Sequence, residues 1–216
     1  HDFLAQFGFG QVTGVDIPGE AAGVLPSRAW KRGRFNQPWY PGETVIAGIG
    51  QGFNVVTPLQ LAVALSTLVN GGKRFEPRLL YAAKQPGDER VQRIQAPLVE
   101  QVPVVQAANW QAIRNGMRRV IHGPAGTARA LLPLDGYEMA GKSGTAQVVK
   151  MSQEEEKQSS DVAAHLRHHA LFIAYAPYEQ PTIVVAVVVE HGGGGSREAA
   201  PVAKNVIEAW LAQEPQ

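Results

Sequence analysis

Apolar residues recur at helical spacing in three stretches of the chain and crowd into strand-like runs in three others. Leu61, Leu65, Leu68 and Val69 mark the first helix. Thr57 stands at its N-cap, Pro58 at its first position, and Gln60 completes a capping box before Asn70-Gly71-Gly72 stops it. A second helix carries Trp110, Ile113, Met117, Val120 and Ile121 on one face. Arg114, Arg118 and Arg119 lie towards its C-terminal half, where cations oppose the helix dipole, and Gly123-Pro124 ends it. The third helix, residues 198–213, turns Val202, Val206, Ile207, Trp210 and Leu211 inward. Strands are predicted at 142–149, 170–176 and 182–190. PYEQP separates the last two and is short enough to force an antiparallel hairpin.

The remaining segments are turn-rich. FGFGQVTGVDIPGE and RFNQPWYPGETVIAGIGQG leave little room for long elements, so residues 1–56 read as ordered loops with short helical pieces. Residues 73–104 read as short strand-like pieces around the surface turn KQPGDER. Between the first two strands, KMSQEEEKQSSDVAAHLRHH is a polar excursion with a short helix predicted near Val162 to His168. GGGGS, between the last strand and the last helix, reads as a native turn.

Length and composition narrow the class. A chain of 216 residues suits one large domain, the expectation here, or two small ones. Its parts are loops and helices at 1–141, strands at 142–190 and the last helix at 198–213. Apolar and charged shares of 44% and 18% exclude wholesale disorder. A net charge of +1 argues against nucleic acid as a partner. Without cysteine there are no disulfides, no thiol catalysis and no cysteine-ligated zinc, while the compartment stays open. The longest apolar run, Ile183 to Val189, is far shorter than the about 20 residues of a membrane-spanning helix. His1 opens the chain without methionine or a signal-peptide pattern, so the start looks like a cut inside a longer protein.

Chemistry concentrates in GYEMAGKSGTAQVV, which fits two motifs. Gly136 to Ser143 matches G-x-x-x-x-G-K-[ST], a loop that cradles nucleotide phosphates. Lys142-Ser143-Gly144-Thr145 matches K-[ST]-G, a signature of penicillin-binding enzymes. A phosphate loop needs a helix starting at Lys142, yet Gly144 would fall in its first turn and Thr145, Val148 and Val149 prefer a strand. A strand places Lys142, Gly144 and Ala146 on one face and Ser143, Thr145 and Gln147 on the other. Gly144 then leaves room for a substrate to pair along the strand edge.

Together FGFGQVTGVDIPGE, RFNQPWYPGETVIAGIGQGFNVVTPLQLAVALSTLVNGG, GPAGTA, AGKSGTAQVV, LFIAYAP and VEHGGGG with AAPVAKNVIEAW resemble, in collinear order, the transpeptidase domain of class B penicillin-binding proteins. The resemblance implies an α/β (α+β) fold of the β-lactamase type, an antiparallel sheet flanked by helices. It also implies a serine acyl-enzyme that cross-links peptidoglycan stem peptides and is blocked by β-lactams, with no cofactor and no metal. On that reading Lys142 sustains the proton relay, and the Ser143 and Thr145 hydroxyls hold a carboxylate. The Thr145 N–H is an oxyanion donor, and Gly144 provides clearance. The implied setting is the periplasmic face of a bacterial inner membrane. A glycosyltransferase of the elongation machinery is the implied membrane partner.

The chain departs from that pattern at the nucleophile. Three places after Ser27, Ser66, Ser143, Ser152, Ser159, Ser160 and Ser196 stand Trp30, Val69, Ala146, Glu155, Val162, Ala163 and Ala199, so S-x-x-K is absent. S-x-N is absent too, and Ser159-Ser160-Asp161 lies in the wrong place for it. The expectation is a C-terminal portion that needs the N-terminal remainder of the same protein to cover its apolar surface. A β-lactam or muropeptide sensor is the alternative reading.

Other signals read more simply. His165, His168 and His169 lack an acidic residue at ligand spacing and read as a solvated helix, and EEEK as a solvated loop. Trp39 and Tyr40 read as loop packing, GIGQG as tight backbone packing, and the three arginines as a helix-end cluster.

Overall fold

The computed structural model describes residues 1–87, 90–147 and 167–213 and divides into two compact units, His1–Val105 and Gln106–Gln216.

In the first unit, α1 (Asp2–Ala5), α2 (Arg28–Phe35) and α3 (Pro41–Gly48) precede α4 (Pro58–Val69). The expected capping box is present: Gln60 N–H donates to Thr57 Oγ1 at 3.1 Å and Thr57 N–H donates to Gln60 Oε1 at 3.0 Å. Gln60 is fully buried, and its Nε2 also donates to the carbonyls of Gln11 at 2.7 Å and Ala22 at 2.8 Å. Loops lack a ladder to satisfy their carbonyls, and one buried amide supplies the donors here. Gly23 is required beside it, since a Cβ there would meet Val55 O at 2.4 Å and Gln60 Oε1 at 2.9 Å.

Carboxylates anchor the other loops. Asp16 accepts the N–H groups of Leu79 at 2.6 Å and Leu80 at 3.0 Å, and these bonds hold its carboxyl below the ordinary range. Ser27 caps α2, its Oγ accepting from Trp30 N–H at 3.0 Å. From α2, the buried Lys31 donates to Glu43 on α3 and lies 4.3 Å from the Tyr40 ring centroid. Trp39 Nε1 donates to Thr44 Oγ1 at 2.9 Å, as loop packing requires, while the Tyr40 ring stays half exposed. Two short antiparallel pairs complete the unit: β1 (Lys73–Phe75) with β4 (Leu98–Gln101), and β2 (Ala82–Lys84) with β3 (Val91–Arg93).

The second unit packs α5 (Ala107–His122) and α6 (Ala200–Leu211) with an antiparallel sheet in the order β5 (Ala140–Ala146), β6 (His169–Ala176), β7 (Ile183–Val189). The two-residue period places Ala170, Phe172, Ala174 and Ala176 on one face of β6, opposite Val189, Val187, Val185 and Ile183. That face meets Ile121 of α5, Met139, and Ala200, Ala203 and Ile207 of α6 in one core. Complete burial of Phe172 alone contributes about 2–3 kcal/mol.

Three expectations change. Val202, Val206 and Trp210 stay 43–45% exposed; α6 does turn the expected Ile207 inward, with Leu211 partly buried against the core, but Ala200 and Ala203 fill the rest of that face. Alanines let the helix lie close to the sheet, and that approach selects a different stripe from the largest residues. Ile113 is 52% exposed while the neighbouring Arg114 is half buried. Finally, β5 begins at Ala140 rather than Lys142, because Ala140 and Gly141 are small enough to be buried before it emerges. Val148 and Val149, EEEK, Ser159-Ser160-Asp161, His165 and residues 162–166 of the expected helix lie outside the described residues.

Candidate active site

Four consecutive residues of β5 carry the candidate chemistry. Lys142 and Thr145 are exposed and Ser143 and Gly144 half buried, opposite Ile173, Ala170, Phe172 and Leu171 respectively. Among the described residues β5 is an edge of the sheet, paired on one side only, with β6. Among the described residues no strand pairs its other edge, which is the kind of edge that can accept an added strand. Lys142 Nζ donates to the Ser143 carbonyl at 2.6 Å. A strand at Lys142 removes the phosphate-loop geometry, which needs a helix N-terminus there.

Several contacts fix where this strand emerges. Arg118 of α5 grips Glu138, two residues before β5, through both carboxylate oxygens, with Nε to Oε2 at 2.7 Å. The guanidinium beside it holds the Glu138 carboxyl below its usual range. His122 Nε2 lies 3.1 Å from Met139 O. Gly141 has no space for a side chain, since a Cβ would sit 2.6 Å from Phe172 Cε1.

The α5 arginines do more than oppose a dipole. Arg114 lies 5.1 Å and Arg118 5.6 Å from the Tyr178 ring centroid, and Arg114 also donates to the Tyr178 carbonyl. Tyr178 O–H donates to Asn115 Oδ1 at 2.5 Å and accepts from Gln111 Nε2 at 2.9 Å, while its N–H donates to Glu138 O at 2.8 Å. Sequence reading missed this clamp. Arginines four apart on one helix were its visible half, and Glu138 and Tyr178 gave no signal of being partners.

The described residues contain no cluster of three metal-ligating side chains and no helix long and apolar enough to cross a membrane. A cavity of about 330 Å³ at the end of α5 is lined by Gly116, Arg119, Gly123 and Thr127 among others, and by none of Lys142 to Thr145.

Comparison with known proteins agrees with this geometry. The model of the penicillin binding protein transpeptidase domain matches residues 1–208. Peptidoglycan D,D-transpeptidase MrdA of Haemophilus influenzae is 39% identical over 98% of this chain and 32% of its own length. Pseudomonas aeruginosa PBP2, solved in complex with WCK 5153, superposes with a TM-score of 0.80 at 41% identity over 99% of this chain and 44% of that one. Helicobacter pylori PBP2, solved in complex with MreC, gives 0.77 at 32% identity over 97% and 35%. The chain thus spans about a third of the length of the curated relatives it matches. An edge strand bearing K-S-G-T, set in an antiparallel sheet with helices packed on it and matched along nearly its whole length, places this chain in the penicillin-binding-protein transpeptidase-domain family.

Proposed function

We propose that this chain supplies the K-S-G-T wall of a serine peptidoglycan D,D-transpeptidase of the PBP2 and MrdA type. The observation that carries the reading is β5 itself, among the described residues an edge strand that presents Lys142, Ser143, Gly144 and Thr145 and pairs on one side only. A stem peptide, or a β-lactam in its place, lies along that edge. Lys142 supplies positive charge to the proton relay, Ser143 and Thr145 hydroxyls hold the carboxylate, and Gly144 gives clearance. The Thr145 N–H donates to the oxyanion that forms when an upstream serine attacks the D-Ala carbonyl. That serine belongs to the remainder of the same protein, since no S-x-x-K occurs in these 216 residues. The site acts at the periplasmic face of the inner membrane, beside a glycosyltransferase of the elongation machinery.

Fluorescent penicillin tests the reading. The full-length protein is expected to become labelled, and Lys142→Ala to slow labelling at least about 100-fold with an unchanged melting temperature. Wild-type labelling in that variant removes the role given to Lys142. A cross-linking assay separates an enzyme from a sensor, because a sensor acylates without transferring the acyl group to an amine.

Val202, Val206 and Trp210 on α6, Val45 on α3 and Ile49 just after it support a further part of the reading, in which the N-terminal remainder covers apolar surface. The isolated chain should bind a hydrophobic dye and lose that binding when the remainder is added in trans. A cooperative melt without dye binding contradicts it.

A further inference from the structure

Gly195 opens the π-helical turn Gly195–Ala199 that leads from the sheet into α6. Its backbone does not lie in the left-handed region, so conformation alone would admit any residue. Space does not. A Cβ on Gly195 would fall 2.2 Å from Leu171 O, 2.6 Å from Gly144 O and 3.2 Å from Gly144 N, all backbone atoms of the paired strands β5 and β6. Backbone held in a ladder cannot swing aside as a flexible side chain can. Gly144 O and the Thr145 N–H belong to one planar peptide group, so what presses on the oxygen also sets where the N–H points.

We propose that Gly195 is a positioning residue for the oxyanion-binding peptide. Its bare Cα allows the turn to seat against the Gly144–Thr145 peptide and fixes that plane from the side away from the reacting atoms. The neighbouring turn is tied to the start of β6, with Gly193 N–H donating to His168 O at 2.8 Å and His191 N–H to His169 Nδ1 at 2.9 Å. Contacts that hold a peptide group from behind keep its donor steady enough to matter in a transition state. The inference rests on the role given above to the Thr145 N–H.

The test compares Gly195→Ala with Gly194→Ala in the full-length protein, the second because a Cβ at Gly194 meets only Arg197 Cβ at an ordinary 3.7 Å. Penicillin acylation is resolved into initial binding and the acylation step, and the ester carbonyl stretch of the acyl-enzyme is recorded by infrared spectroscopy. Gly195→Ala should slow the acylation step about 100-fold, leave initial binding within about threefold and move the carbonyl stretch to higher frequency. Gly194→Ala should match wild type on all three. Wild-type acylation and carbonyl frequency in Gly195→Ala overturn the proposal, and so does an equal loss in both variants. If Gly195→Ala does not fold, one extra glycine inserted between Gly194 and Gly195 removes the same support without adding a side chain. It should show the same loss, and a wild-type acylation step there is equally fatal. Absence of acylation in the wild-type protein would instead remove the transpeptidase reading on which the inference depends.

Discussion

The first unit is organised around a buried amide, the second around an apolar sheet face. Gln60 ties segments near Gln11, Ala22 and Thr57 to one side chain, whereas Phe172, Ile121 and Ile207 meet in a core that needs no polar partner. The difference follows from sequence. Glycine- and proline-rich loops offer few apolar side chains at regular spacing and many unpaired carbonyls, so polar satisfaction governs them. Regular strands satisfy their own backbones, so packing governs them. The candidate active-site strand belongs to the second kind, which suits chemistry that depends on a fixed backbone edge.

Removing apolar volume should therefore hurt the second unit most. Ile207 is fully buried between α6 and the sheet, and Ile207→Ala should destabilise by about 3–4 kcal/mol, read by urea denaturation of the intact transpeptidase domain. Val206→Ala, one residue away on the 44% exposed stripe, is the sharpening control. It should cost well under half as much wherever the α6 orientation seen here holds. Equal costs would restore the inward face expected from the largest residues.

Gln60→Ala probes the other unit and should cost about 2–3 kcal/mol, because the carbonyls of Gln11 and Ala22 lose their buried donor. Hydrogen exchange should show the loss spread over segments distant in sequence. Gln60→Met, close in shape but without the amide, should be nearly as damaging. A mild effect for Gln60→Met would mean that shape rather than hydrogen bonding matters there, and the contrast between the units would collapse.

Legibility in the sequence divides differently, by how far apart in the chain the partners stand. The α4 cap was readable because Thr57, Pro58 and Gln60 act within three residues, and the β6–β7 hairpin because PYEQP leaves one way to turn. Lys142 to Thr145 could be placed on a strand because Gly144 and Thr145 oppose a helix. What escaped depends on distant partners. Nothing local says that Gln60 also serves Gln11 and Ala22, that Arg118 grips Glu138, or that Gly195 rests on Gly144. Half of the inward face of α6 escaped for another reason: Ile207 and Leu211 pack inward as their spacing predicts, but the pattern was weighted by side-chain size, and the sheet selected Ala200 and Ala203 for closeness.

The smallest effect expected separates two ion pairs, one in each unit. Lys31–Glu43 is nearly dry, with side chains 3% and 20% exposed, whereas Arg118–Glu138 has 38% and 43%. Hydrogen bonding from the basic partner is the main cause that holds each carboxyl below its ordinary value of 4.5. A carboxyl lowered in the folded state stabilises it fully above that ordinary value, and the contribution fades as pH falls through the folded one. Both pairs should therefore weaken only in acid, below about pH 4.5. Salt discriminates between them, since mobile ions screen exposed charges over about 3 Å at 1 M and reach dry ones much less. Carboxyl titrations followed by NMR at about 0.05 M and 1 M salt should show the Glu138 midpoint rising towards its ordinary value while that of Glu43 stays low. Parallel movement of the two would mean that water reaches Lys31 as freely as it reaches Arg118, and that the first unit is looser than its buried amide implies.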